Sequence, residues 1–214
     1  KLKKSVLCFG DSNTYGHIPG TFDRYDYDVR WPGRLQSLLG PEFYVIEEGL
    51  NGRTTVYHDV NVSGRRAIDY ITPCVRTHRP LDFAVVMLGT NDCKSCYGAT
   101  ADEIAKGVSQ VVRVIRRETA PYKTKILIVS PVLLGDEIWR PENDPQFDRK
   151  SLAVSKELAA NYRLVAEAAG CLFLDAATAA SASATDLVHL DAGGHDAIAR
   201  SVAGIILAAD GKKV

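Results

Sequence analysis

Short, almost uninterrupted apolar runs alternate with longer amphipathic stretches along this chain, and that alternation restricts its fold more than any other feature. The runs are Ser5–Phe9, Tyr44–Glu48, Phe83–Leu88, Lys125–Ser130 and Cys171–Asp175. A strand with one wet face alternates apolar and polar residues. These runs do not, which predicts parallel strands covered on both faces. Helical periodicity fills the gaps over about Pro32–Leu39, Ala67–Thr77, Ala101–Glu118, Arg149–Ala169 and Ala192–Ala209. In the third of these, Ile104, Val108, Val111, Val112 and Ile115 fall on one stripe, the mark of a helix laid on a sheet. Strand–helix alternation from end to end predicts an α/β fold with a five-stranded parallel sheet between helical layers. No composition break or internal repeat divides the 214 residues, and 46% apolar content is enough for a sizeable core, so residues 1–214 read as a single domain.

Charge excludes several partners. The 26 basic residues balance 26 acidic ones with no long run of either sign, which argues against a nucleic-acid partner, since that needs a concentrated basic face. The ends "KLKK" and "GKKV" read as short solvated segments. No stretch of about 18 apolar residues is present to span a membrane. Lys1 leads almost directly into the first strand, with no visible signal peptide, although a cleaved one would leave the same start. Five cysteines, an odd number, suit a reducing, cytoplasmic setting better than a disulfide framework.

Two connections exceed ordinary loop length: "YGHIPGTFDRYDYDVR" after the first strand and "PVLLGDEIWRPENDPQ", with three prolines, after the fourth. Both follow the carboxyl ends of strands, where open α/β sheets bind ligands. Phosphate-loop, dinucleotide-binding, zinc-protease and G-x-S-x-G templates are all absent. What remains is polar chemistry just past strand ends: Ser12 after the first strand, "EEGLNGRTT" (Glu47–Thr55) after the second, "LGTND" (Leu88–Asp92) after the third, and "TDLVHLDAGGH" (Thr185–His195) before the last helix. In a parallel sheet these tips share one edge, so residues distant in sequence can converge.

Ester chemistry needs such a set. A serine hydroxyl attacks only when a base takes its proton. A histidine fits that task, and a carboxylate fixes its tautomer and steadies the imidazolium. Asp186 and His189 are three residues apart and can meet within one turn. The oxyanion of a tetrahedral intermediate needs preorganised donors; a turn glycine such as Gly52 lets a backbone N–H approach closely, and the Asn91 amide offers another.

The blocks "GDSN", "LNG", "GTND" and "DLVH", in this order and at these separations, resemble those of the SGNH, or GDSL-type, hydrolase family, and they span nearly the whole chain. Within it, "RWPGRLQ" and "EEGLNGRTT" look most like the small bacterial arylesterase and acyltransferase branch. The resemblance implies a three-layer α/β/α fold with a flavodoxin-like strand order. It implies Ser12 as nucleophile, Asp186 and His189 as the rest of a catalytic triad, and Ser12, Gly52 and Asn91 as oxyanion donors. Substrates would be short-chain acyl esters, aryl or carbohydrate acetates among them, with no cofactor or metal. Members of the branch often form homo-oligomers, so one is expected here. Asn13 departs from the signature, which usually has leucine, and is expected to alter the pocket wall and not the chemistry.

Each assignment has a rival. Ser12 alone could be a turn residue or helix cap, Gly52 a simple positive-φ turn residue, and Asn91 a cap. His195 competes with His189, with Asp191 four residues before it, but "DAGGHDAIA" reads as a helix start capped by Asp191, which leaves His195 on the helix surface. His17, His58 and His78 read as loop or surface residues, Asp11 as an organiser of the first turn, and Asp92 as a structural turn acid. Tyr15 and Trp139 are candidates for lining a substrate pocket, and Trp31, starting a helix, for the core. Cys93 and Cys96 form a C-x-x-C without the tryptophan and proline usual in redox motifs, and read as incidental. The sequence leaves three alternatives to hydrolysis: transfer of the acyl group to an alcohol, a non-catalytic flavodoxin-like ligand-binding module, and a redox role for Cys93 and Cys96.

Overall fold

A computed structural model describes residues 3–211. The strands are β1 (Lys4–Gly10), β2 (Phe43–Gly49), β3 (Phe83–Met87), β4 (Lys125–Ser130) and β5 (Leu172–Asp175), and they form one all-parallel sheet in the order β2-β1-β3-β4-β5. This is the flavodoxin-like order. The longer helices are α2 (Trp31–Leu39), α3 (Ala67–His78), α4 (Ala101–Glu118), α5 (Arg149–Ala169) and α6 (Ala192–Ala209). Each expected element is present, with ends displaced by at most one residue. Of the terminal segments, Lys1, Leu2 and Lys212 to Val214 lie outside the described residues; Lys3 is exposed, and Lys4 pairs with Asp210.

The continuous apolar runs are explained by the two cores. Leu7, Phe9, Ala84, Val86, Ile126 and Ile128 pack under α3, α4 and α5, whereas Val6, Cys8, Phe83, Val85, Leu127 and Val129 pack under α2 and α6. Successive side chains of a strand point to opposite faces, and here both faces are dry. Trp31 is fully buried in the second core. Helix starts follow local chemistry: Thr100 and Glu103 form a reciprocal capping box on α4, Asp148 and Ser151 another on α5, and Asp191 accepts from the Gly194 N–H at the start of α6.

One α-helical element among the described residues was not anticipated. Ser12–Tyr15 forms a single helical turn, α1, directly off β1. Asp11 caps it by accepting from the Asn13 N–H, and Gly16, at φ 90°, ends it in the left-handed region. Four residues are too few for periodicity to reveal. Behind the β3 tip, Tyr162 of α5 is fully buried and donates its hydroxyl to the Leu88 carbonyl at 2.9 Å. It packs so close to Gly89 that a Cβ there would lie 2.1 Å from the phenol oxygen.

Tyr162→Phe is therefore expected to lower stability by about 1–3 kcal/mol, because the buried Leu88 carbonyl loses its donor. Urea denaturation of the two proteins checks this; equal midpoints would show that the phenol contributes packing alone.

Candidate active site

The carboxyl ends of β1, β2 and β3 and the segment before α6 meet on one edge of the sheet. Ser12, the first residue of α1, lies 2.9 Å through its Oγ from Nε2 of His189. Nδ1 of that ring lies 2.7 Å from Oδ2 of Asp186. The other Asp186 oxygen accepts the N–H groups of Val188 at 3.1 Å and His189 at 2.9 Å, and Gly20 donates to Oδ2 at 3.3 Å. Burial alone would raise the Asp186 pKa, but the bonds from the His189 ring and backbone outweigh it and bring it down to about 2. An ionised carboxylate can only accept, so Nδ1 carries the ring proton and Nε2 is left to accept from Ser12. The acid and base share one tight turn, in which Leu187 takes a left-handed φ of 64°.

Gly52 adopts φ 77°, and a Cβ there would fall 2.4 Å from Nε of Arg65, so any other residue would strain the backbone and displace the Arg65 side chain. The backbone N–H groups of Ser12 and Gly52 meet no acceptor among the described residues. Asn91, buried at the β3 tip, gives one amide hydrogen to the Arg53 carbonyl at 3.1 Å and retains the other. Ser12, Gly52, Asn91 and His189 line one cavity of about 350 Å³. A larger hollow of about 590 Å³ between α4 and α5 contains none of these groups; position relative to the reactive side chains, and not size, identifies the site.

Two expected lining residues are elsewhere. The Tyr15 ring lies under the Arg24 guanidinium, 4.2 Å from its centroid. Trp139 stacks against Arg149 at 3.2 Å and donates its indole N–H to the Asp136 carbonyl, so it fastens the long loop to the start of α5. The aromatic surface at the cavity comes from Phe22 and Phe147 instead. His195 is also corrected: it is fully buried, and its Nδ1 accepts the Trp31 N–H at 3.2 Å, which caps α2. Burial brings its pKa down to about 4, against the pull of Asp191. His17 is not a detached loop residue, since its ring lies 4.3 Å from that of His189. Asn13 forms no pocket wall. It is buried, accepts the Leu190 N–H at 2.8 Å and donates to the Val188 carbonyl at 3.3 Å, and so grips the chain on both sides of His189. Cys93 is buried and burial pushes its thiol far up, the reverse of a reactive redox thiol.

A family model described as GDSL-like Lipase/Acylhydrolase matches residues 8–197. The chain belongs to that family. Solved structures agree with this assignment at high coverage. A carbohydrate acetylesterase from Sinorhizobium meliloti is 34% identical, with a TM-score of 0.90 over 97% of this chain and 100% of that one. The aryl esterase of M. smegmatis is 32% identical, with a TM-score of 0.88 over 96% and 99%. An acetylxylan esterase from Xylanibacter ruminicola is 24% identical over 178 residues, which cover 74% of this chain and 34% of that protein; the match thus spans about a third of that relative. The domain is that of a carboxylic ester hydrolase in this GDSL-like family.

Asn13→Ala is expected to cost about 1–3 kcal/mol by leaving the buried Leu190 N–H unpaired, and to lower kcat more than it raises KM because His189 is less well placed. Steady-state kinetics with an aryl acetate, beside thermal melting, checks both. Below the site, burial raises the Asp92 carboxyl to about 6, with the Thr55 hydroxyl and N–H opposing and Asp11 adding to the rise. A carboxyl whose folded pKa lies above its unfolded value of about 3.9 contributes stability at low pH that is lost as pH climbs through the folded value. Asp92→Asn removes that loss. Its stability relative to wild type should improve between pH 4 and 7, read from urea midpoints at both ends; a constant difference contradicts the assignment.

Proposed function

We propose that this GDSL-like family member is a serine esterase acting through an acyl-enzyme on short-chain acyl esters, with the described chain working as one catalytic domain. The observation that carries the reading is the continuous line Ser12 Oγ–His189 Nε2 and His189 Nδ1–Asp186 Oδ2, at 2.9 and 2.7 Å, beside two unpaired backbone N–H groups. Ser12 attacks the ester carbonyl as His189 takes its proton, and Asp186 steadies the imidazolium. The developing oxyanion is held by the N–H groups of Ser12 and Gly52 and by the Asn91 amide, where the loss of one donor costs about 2.7–4 kcal/mol of barrier. Collapse expels the alcohol, which takes the proton back from His189. Water, activated by the same base, then releases the acid.

The small cavity and the partial aromatic lining by Phe22 and Phe147 suit an acetyl or similar short acyl group beside an aryl or sugar alcohol. The names of the neighbouring structures, carbohydrate acetylesterase and aryl esterase, support both alcohol classes. A ligand-binding module has no need of a hydroxyl–imidazole–carboxylate line.

A serine-directed organophosphate should add once per chain, at Ser12, and abolish ester hydrolysis. Ser12→Ala and His189→Ala should each lower kcat by roughly three orders of magnitude or more while the fold persists, since such groups act as a unit. His195→Ala should instead lower the melting temperature and keep most turnover at temperatures where it remains folded. Mass spectrometry of the adduct and kinetics of the three variants test this; adduct formation away from Ser12, or loss of turnover on replacing His195 but not His189, would refute the reading.

A further inference from the structure

The cavity over Ser12 is lined by two cations, Lys94 and Arg65, that no step of ester cleavage employs. Lys94 follows the Asn91 turn, is only 7% exposed, and lines the cavity together with Ser12, Gly52, Asn91 and Arg65. Its ammonium forms no hydrogen bond and no ion pair with any described residue. Arg65 and Asp144, two of the charges that act on it, line the same cavity. Burial, and then Arg65, hold its pKa below the ordinary lysine range, while Asp144 and Asp59 pull the other way.

A largely buried cation with carboxylates nearby, but none in direct contact, is poorly stabilised unless something arrives to bond it. Asp144 acts on it through space only: its carboxylate makes no ion pair with Lys94 and accepts instead from the Gln146 N–H at 3.0 Å and side-chain amide at 3.2 Å. Arg65 is only partly satisfied. Its Nη1 bonds Asp59 at 2.6 Å, and its guanidinium lies against Gly52, with no acceptor for Nε and Nη2 among the described residues. Two cationic groups with spare donors therefore stand beside the unpaired N–H of Gly52. A neutral acetate ester offers them only carbonyl and ether oxygens and no negative charge.

We propose that Lys94 and Arg65 form an anion subsite and that the preferred ester carries a carboxylate. The inference rests on the serine-esterase reading and narrows its substrate. The carboxylate can belong to the acyl part, as in a half-ester of a dicarboxylic acid, or to the alcohol part, as in an acylated hydroxy acid. Either one supplies Lys94 with the direct ionic partner it lacks among the described residues, through charge-assisted hydrogen bonds.

Matched esters separate these cases. In the acyl arm, the para-nitrophenyl half-ester of succinate is compared with neutral para-nitrophenyl pentanoate. In the alcohol arm, para-acetoxybenzoate is compared with its methyl ester. The wild-type protein should favour the charged member of at least one pair by roughly tenfold or more in kcat/KM, and the arm concerned identifies the side. Lys94→Met should abolish that ratio, and Lys94→Arg should retain most of it. No charged preference in either pair overturns the inference without needing any variant to fold. A preference that survives Lys94→Met, or an equal fall for charged and neutral esters, also overturns it, the latter making Lys94 a general support of the oxyanion donors. If no ester is cleaved and Ser12 takes no organophosphate label, the esterase reading itself fails, and the subsite falls with it.

Discussion

Arg53 joins the tips of three strands from the inside. It is almost fully buried, its Nη1 donates to the carbonyls of Gly10 and Glu48 at the ends of β1 and β2, and its own carbonyl accepts the amide of Asn91 past the end of β3. The guanidinium lies over the rings of Phe9 and Tyr70. A parallel sheet brings strand ends to one edge, but its ladder hydrogen bonds stop before the loops begin. Beyond that point Arg53 keeps the serine turn, the glycine turn and the asparagine turn in register. A planar cation with several donors can bridge two carbonyls and stack on an aromatic face at once, which a lysine cannot. Asp92 reinforces the same join by accepting from the N–H and hydroxyl of Thr55, two residues along from Arg53.

The charges under the site are arranged against the average neutrality of the chain. Asp11 and Asp92 are both buried, and burial raises each toward 6. His189, Arg53 and Lys94 oppose the rise at Asp11. Asp186 is the exception among these acids: bonds from the neighbouring backbone and the imidazole keep it ionised. The three carboxyls thus differ through burial and hydrogen bonding and not through residue type. The one that faces histidine holds its charge down to the lowest pH, and the two beneath it organise turns.

Much of this architecture was legible in the residues. The continuous strands and the long helices declared themselves through periodicity, and the four polar blocks marked Ser12, Gly52, Asn91, Asp186 and His189 as converging. What failed has identifiable causes. An aromatic in a loop says nothing about where its ring points, so Tyr15 and Trp139 were misplaced. His195 could have been assigned better, because Ile198, Ala199, Val202, Ala203 and Ile206 continue its stripe along α6, and all are buried. The contact of His17 with His189 and the grip of Asn13 on residues 188 and 190 depend on how loops fold back, for which linear spacing has no signal. Lys94 resembled any other loop lysine until its burial was known.

The carboxylate that orients His189 lies in the same turn and is fastened there by that turn's own N–H groups. Acid and base are consequently one rigid piece, whereas the nucleophile belongs to another, at the end of β1. Small displacements of the segment before α6 leave the imidazole–carboxylate pairing intact and alter chiefly the gap between Nε2 and Oγ. Competence then reduces to a single sliding coordinate, with Asn13 as its stop: the residue beside the nucleophile holds the turn that carries the base, so the spacing across that gap is gauged from the serine's own side.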